Sequence, residues 1–212
     1  MAEPISPPNH HADHPGFAGV TGLIAALSMA IGRKGDARLA VRLSSLRTGD
    51  TVVDIGCGPG VAVRYAARQG ATVTGIDPAS VMLRVAKLLT RHPARVWYVE
   101  GVAEAVPLED HSASIVWSIA TVHHWGDLDI GLREALRVLL PGGRFVAIER
   151  QMKPGASGHA SHGWSEEQAT VFMDRCRQHG FADVRIEQTT TGRRSTVSVV
   201  GIAAGRSWPA EA

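Results

Sequence analysis

Residues 52–60, VVDIGCGPG, run a short apolar strand into a loop with glycine at every second position: Gly56, Gly58 and Gly60. A strand apolar on both faces must be covered on both faces, which a parallel sheet flanked by helices provides. Glycines just past it accept positive φ and let backbone approach a ligand closely. The rest of the chain repeats the theme. Strand-like runs at 51–55, 72–76, 95–99, 114–119 and 144–149 alternate with helix-like stretches near 60–69, 79–91, 128–139 and 165–179.

This alternation predicts an α/β fold, a doubly wound Rossmann-like sheet that is mostly parallel with helices on both faces. Two β-rich runs, 182–188 and 195–203, flank a Thr-Gly-Arg turn and predict a C-terminal antiparallel hairpin. At 212 residues the chain fits one domain, read as 17–212, behind a mobile arm at 1–16 that could act as a lid. Within that domain, 17–47 read as N-terminal helices and 151–164 as a glycine-rich active-site loop. Residues 15–32 carry no charge, yet they contain several glycines and follow no basic segment. They read as an apolar helix packed on the domain or on a partner subunit, with membrane association as the alternative and stable insertion not expected.

Charge narrows the partners. The 22 Lys and Arg against 20 Asp and Glu leave a net charge of +2 with no long run of either sign, so nucleic acid is not expected. Cys57 and Cys176 give neither a disulfide framework nor metal-ligand spacing, which suits a reducing, cytoplasmic setting.

The glycine loop suits a dinucleotide or another adenosyl ligand, and two details separate them. A dinucleotide fingerprint needs a third glycine three residues after the second; Val61 stands there instead. Asp54 lies two residues before the loop, where a carboxylate repels a pyrophosphate and attracts a sulfonium or ammonium group. Seventeen residues after Gly60, Asp77 ends the second strand, where a carboxylate can accept hydrogen bonds from ribose hydroxyls. Each aspartate also has an ordinary reading: Asp54 could cap a turn and Asp77, ahead of Pro78, could cap a helix.

The ordered set, an acid before the loop, glycines at 56, 58 and 60, and an acid after the second strand, resembles the class I S-adenosylmethionine-dependent methyltransferases over about 45–150. The segment GVAEAVPLED at 101–110 resembles the adenine-side loop of that family's small-molecule branch, and LREALRVLLPGGRFVAIER at 132–150 its helix, Pro-Gly-Gly turn and fifth strand. The resemblance implies S-adenosyl-L-methionine as cofactor and S-adenosyl-L-homocysteine as product. It implies cofactor contacts at Asp54, Gly56, Gly58, Gly60, Asp77, Pro78, Ala103, Glu104 and Ile119. Val102 and Ser114 depart from the family pattern, which often has Asp at both places. There is also a faint resemblance to actinobacterial sugar O-methyltransferases.

Methyl transfer is an in-line displacement that asks mainly for alignment, but a hydroxyl acceptor needs a base, and histidine serves at neutral pH. His123 and His124 follow the fourth strand, and Glu149 ends the fifth, where it could orient a histidine or pair with Arg150 or a loop lysine. These three are the catalytic candidates. His11 and His14 in the arm, His159 and His162 in the loop, and Trp125 and Trp164 are candidates for the acceptor pocket; an aromatic face beside polar groups suits a sugar. A divalent ion near His123, Asp127 and Glu149 is the weaker alternative, with no diagnostic spacing. The expectation is an O-methyltransferase of a small hydroxylated molecule, sugar or polyol favoured, with a homodimer allowed. Its rivals are C- or N-methylation of a quinone, lipid or amine, a dinucleotide dehydrogenase, and a cofactor-binding protein without catalysis.

Overall fold

Val52, Val53 and Ile55 give the first strand β-branched side chains on both faces, and all three are buried in β1, Thr51–Ile55. The structure, a computed structural model, describes residues 34–91, 93–152, 163–191 and 194–204. Within them, α1 (Lys34–Leu43) precedes β1. There follow α2 (Val61–Arg68), β2 (Thr72–Asp77), α3 (Ser80–Leu89), β3 (Val96–Glu100) and β4 (Ala113–Ile119). The chain then forms α4 (Leu128–Val138), β5 (Leu139–Arg150), α5 (Glu166–Gln178), β6 (Phe181–Thr191) and β7 (Arg194–Ala203).

The seven strands lie in the order β3-β2-β1-β4-β5-β7-β6. Pairing is parallel from β3 through β5 and antiparallel at β7 with both neighbours, so the expected hairpin is present. One apolar cluster packs α4 and α5 on one face, around Phe145, Leu132, Trp164 and Phe172. A second packs α1 and α2 on the other, around Trp117, Ile115, Val63 and Leu39.

Strand order turns at β1: the chain walks outward through β2 and β3, then returns to lay β4 on the other side of β1. Loops leaving the carboxyl ends of β1 and β4 therefore diverge and open a crevice between them, the place where ligands bind in such sheets. Into that crevice run Gly56–Gly60 and Ala120–Trp125.

Several local expectations are refined. The helix before Pro141 ends at Val138, and Leu139 already pairs with Ala113. Pro141, Gly142 and Gly143 form an irregularity inside a long β5 rather than a separate turn, with Gly142 at φ +75°. Asp77 does not cap a helix at its first residue; its carboxylate accepts from the Ala79 amide ahead of α3. Ser114, where an Asp was expected from the resemblance, donates to Asp50 and accepts from the Thr51 amide, so it ties the opposite end of the sheet. The arm, residues 17–33 of the N-terminal helices and 153–162 of the loop lie outside the described residues. Among the described residues no helix is long and apolar enough to cross a membrane.

Candidate active site

Backbone geometry builds the first wall. Gly56, Gly58 and Gly60 sit at φ +74°, +52° and +72°, left-handed conformations that side chains rarely adopt. A Cβ at Gly56 would strike the Thr121 side chain, and one at Gly60 the Tyr98 hydroxyl. Two of the glycines are thus required by contact as well as by conformation. The Gly56 and Cys57 amides both donate to the Ile76 carbonyl, at 2.8 and 2.9 Å, which bends the chain out of β1. Arg64 reaches back from α2 to the Pro59 carbonyl at 2.6 Å and pins the loop from below.

Asp77 links this loop to β2. One carboxylate oxygen accepts from the Gly58 amide at 2.8 Å and the other from the Ala79 amide at 2.9 Å. A carboxylate has about four lone-pair sites, so both oxygens keep capacity for hydroxyl donors. Burial raises its pKa, opposed by the Ala79 and Gly58 amides. Cys57 packs beside Gly75, and burial, with the charges of Asp54 and Asp77, pushes its thiol well up, so it stays a thiol. Asp54 is 2% exposed at the carboxyl end of β1, between Gly75 and Trp117 on the neighbouring strands.

The second wall follows β4. Ala120 adopts φ +53° and donates to the Ile148 carbonyl at 2.7 Å, after which Val122–His124 forms one tight turn. That turn sends adjacent histidines in different directions: His123 is buried and His124 exposed, with ring centroids 4.0 Å apart. His123 Nδ1 lies 3.0 Å from Oε2 of Glu149, which is fully buried at the end of β5. Among the described residues Oε1 of Glu149 has no hydrogen-bond partner. Glu104 closes the mouth by accepting from the Gly126 amide and, at 3.0 Å, from the Asp127 amide.

These walls enclose one cleft, lined among others by Gly56, Pro78, Ala103, Glu104, Thr121 and His124. A glycine loop whose left-handed turns carry no side chain to hold a ligand off, an acid poised past β2 and a neighbouring acid at the end of β1 fit an adenosyl sulfonium ligand. The comparisons agree. Residues 53–147 match the methyltransferase domain family. The fold superposes on a Haloferax volcanii protein solved with the Trm112 methyltransferase activator, at TM-score 0.70 and 22% identity over 86% of this chain and 97% of that one. The chain carries a class I S-adenosylmethionine-dependent methyltransferase domain.

Two curated relatives bracket the chemistry of such domains. The chain is 36% identical over 128 residues to the 27-O-demethylrifamycin SV methyltransferase of Amycolatopsis mediterranei, covering 57% of this chain and 47% of that protein. It is 34% identical over 112 residues to a ubiquinone/menaquinone biosynthesis C-methyltransferase of Rubrivivax gelatinosus, covering 53% and 44%. The chain thus spans about half the length of the curated relatives it matches.

Within this methyltransferase domain, the residues expected to hold the donor gather at one place. Gly56, Pro78, Ala103 and Glu104 line the cleft, Gly58 and Asp77 are hydrogen-bonded to each other, and Ile119 lies beside the turn that carries the histidines. His124 and Trp125 line the same cleft. Trp125 is nonetheless mostly buried, its ring seated against Gly131. Trp164 requires a correction: it is wholly buried against Phe172, 4.5 Å between centroids, so it is core and presents no face to an acceptor. Asp127 requires another, since its carboxylate caps α4 through the Ile130 amide. Among the described residues no group of three or more His, Cys, Asp or Glu could hold a metal ion. Among the described residues Glu149 bonds His123 and not Arg150, and the loop lysine, Lys153, lies outside them. His11, His14, His159 and His162 lie outside the described residues. Thr121 and Tyr98 were not foreseen, because each meets its glycine only across strands that the sequence keeps far apart.

Proposed function

We propose that this chain transfers the methyl group of S-adenosylmethionine to a hydroxyl of a small molecule, sugar or polyol favoured, with His123 as base and Glu149 holding it. Bound in the cleft, the donor supplies an electrophilic methyl carbon on a sulfonium. The chain's own groups do the rest. Gly56, Gly58 and Gly60 let the backbone close on the adenosyl part, and Asp77 accepts from ribose hydroxyls. Asp54 contributes negative charge under the loop, which favours a cationic ligand.

The observation that carries the acceptor reading is the His123–Glu149 contact. With Nδ1–H donated to the carboxylate, Nε2 of a neutral ring carries the lone pair and can take a hydroxyl proton as the oxygen attacks. Glu149 fixes the tautomer and balances the imidazolium that forms. His124, exposed on the same turn, lines the cleft, which supports a part for it in shaping the acceptor's site. The rifamycin relative, named for a demethylated oxygen, supports an oxygen acceptor.

A second reading, carbon methylation of a quinone, is supported by the Rubrivivax relative. Methyl-transfer assays on panels of polyols, sugars and reduced quinones decide between them. The O-methyl reading expects turnover on a hydroxyl acceptor, a fall of about 10²-fold or more in His123→Gln, and donor affinity within about twofold of wild type. Turnover confined to quinone carbon, or a His123→Gln enzyme with unchanged rate and pH profile on a hydroxyl, overturns it. Donor binding without turnover on any panel member supports the non-catalytic alternative.

A further inference from the structure

The two edges of the sheet are unequally protected. On β6 the register shifts between Ala182 and Arg185, Asp183 takes φ +51°, and Arg185 pairs with Glu187 at 3.0 Å. Bulges and charges of that kind keep a strand edge from pairing with another chain. β3, at the other edge, reads VWYVE, with a charge only at its last residue and neither bulge nor proline. Among the described residues no strand covers its outer side.

The backbone direction of β3 can be read from one bond. The Gly101 amide donates inward to the Asp77 carbonyl of β2. By strand alternation, Val99 and Trp97 also bond β2, which leaves the amides and carbonyls of Val96, Tyr98 and Glu100 facing out. Apolar side chains gather around this edge. Of the five large hydrophobic residues that are exposed among the described residues, Leu88 (84%), Leu89 and Trp97 (52%) lie on α3 and β3. Val81, Val85 and Leu88, spaced i, i+4 and i+7, share one flank of α3. Leu83 joins the main core, whereas Met82 and Val85 form a separate cluster with Val81. The flank of α3 turned away from the main core therefore carries Val81, buried Val85 and exposed Leu88, bordered by exposed Arg84 one turn before Leu88, with Lys87 further round the helix.

We propose that β3 pairs with β3 of a second copy of this chain, antiparallel about a two-fold axis at Tyr98, joining two sheets into one. The strand is self-complementary in this register. Tyr98 faces its own copy, and Val96 faces Glu100 of the second copy, so the outward amides and carbonyls bond each other. Trp97 falls beside Val99 of the second copy on the shared face, an aromatic and β-branched pair that stabilises antiparallel ladders. The two-fold axis repeats each of these contacts on its other side. Tyr98 also packs behind Gly60, so the pairing braces the strand that backs the donor loop.

The test is sedimentation velocity of the full chain from about 1 to 100 μM, with hydrogen exchange of β3. The wild type is expected to dimerise, with the Val96, Tyr98 and Glu100 amides protected although they point out of the monomer. Trp97→Lys and Leu88→Lys, at exposed positions that should leave the fold intact, are expected to weaken the dimer about tenfold or more and release that protection. Leu140→Lys, exposed away from this edge, should change neither. A chain that stays monomeric throughout overturns the proposal. So does a dimer that survives both substitutions while the three amides exchange freely.

Discussion

At the amino end of the sheet, the Asp50 carboxylate accepts from Arg144 at 2.6 Å, Ser114 at 2.8 Å and the Arg47 amide at 2.7 Å. At the carboxyl end, fully buried Glu149 accepts at one oxygen from His123 and among the described residues has no hydrogen-bond partner for the other. Between α4 and the segment leading into β4 the satisfied pattern repeats. Arg137 binds Glu134, Asp110 and the carbonyls of Val106 and Leu108, while Glu134 takes the Val106 amide. The hydrogen bonds with Glu134 and Asp110 hold the Arg137 guanidinium firmly protonated. The amino end thus spends its polar groups on holding loops to the sheet. The carboxyl end keeps polar capacity in reserve at a cost in stability, as expected where function is placed.

Four substitutions can break or sharpen this contrast. The largest effect is expected from Gly56→Ala, which places a methyl at a left-handed φ against Thr121. Donor affinity measured by calorimetry should fall about 10²-fold or more, since the strain and collision together cost a few kcal/mol. Adding Thr121→Gly relieves the collision but not the φ, so partial recovery is the expected outcome. Full retention of affinity in Gly56→Ala alone would remove the loop from the site.

Glu149→Gln comes next. Turnover should drop about 10²-fold, while stability in urea stays within about 1 kcal/mol or rises, because a buried carboxylate with an unbonded oxygen is replaced by a neutral isostere. Severe destabilisation with normal turnover would reverse the comparison. Asp50→Asn is its counterpart: a loss of about 1–3 kcal/mol in urea, with donor affinity unchanged. If Asp50→Asn weakened donor binding as strongly as it weakened the fold, the two ends would not be separable.

The smallest effect concerns Asp129, which joins α4 to His179 at 2.9 Å and to Arg175 on α5 at 3.3 Å. The His179 hydrogen bond, against a smaller cost of burial and with help from Arg175, lowers its pKa below the ordinary 3.8. A lowered acid contributes stability above its unfolded pKa and loses it as the pH falls through the folded value. Asp129→Asn should therefore cost less than about 0.5 kcal/mol at pH 7, since the carboxylate is 40% exposed and screened. The difference from wild type should vanish as the pH falls below 3.8. A cost that persisted in acid would point to helix packing instead.

Much of the frame was legible in the residues. β1, the glycine loop, the alternation of elements and the terminal hairpin follow from local apolar pattern and from glycine, which act over a few residues. Asp77 was legible as a carboxylate at a strand end, but its partners were not, because the Gly58 amide comes from another connection. Trp164 misled for the same reason. An aromatic residue next to polar, glycine-rich chain reads as a pocket wall, whereas stacking on Phe172 from α5 takes it into the core. Asp127 looked like a metal ligand only until α4 began one residue later and claimed its carboxylate as a cap.

By itself, then, the sequence determined the fold class, the glycine loop past β1 and the two acids that flank it, since each is written in short-range spacing and in the conformational needs of glycine. Only the tertiary structure decided which of two adjacent histidines meets Glu149, that Thr121 and Tyr98 bear on Gly56 and Gly60, and that among the described residues one sheet edge is guarded by a bulge and charges while no strand covers the other. Those facts depend on strand order and register. The strand order places β4 beside β1 and β5 beside β4, so residues 26 to 65 positions apart meet within a few ångströms.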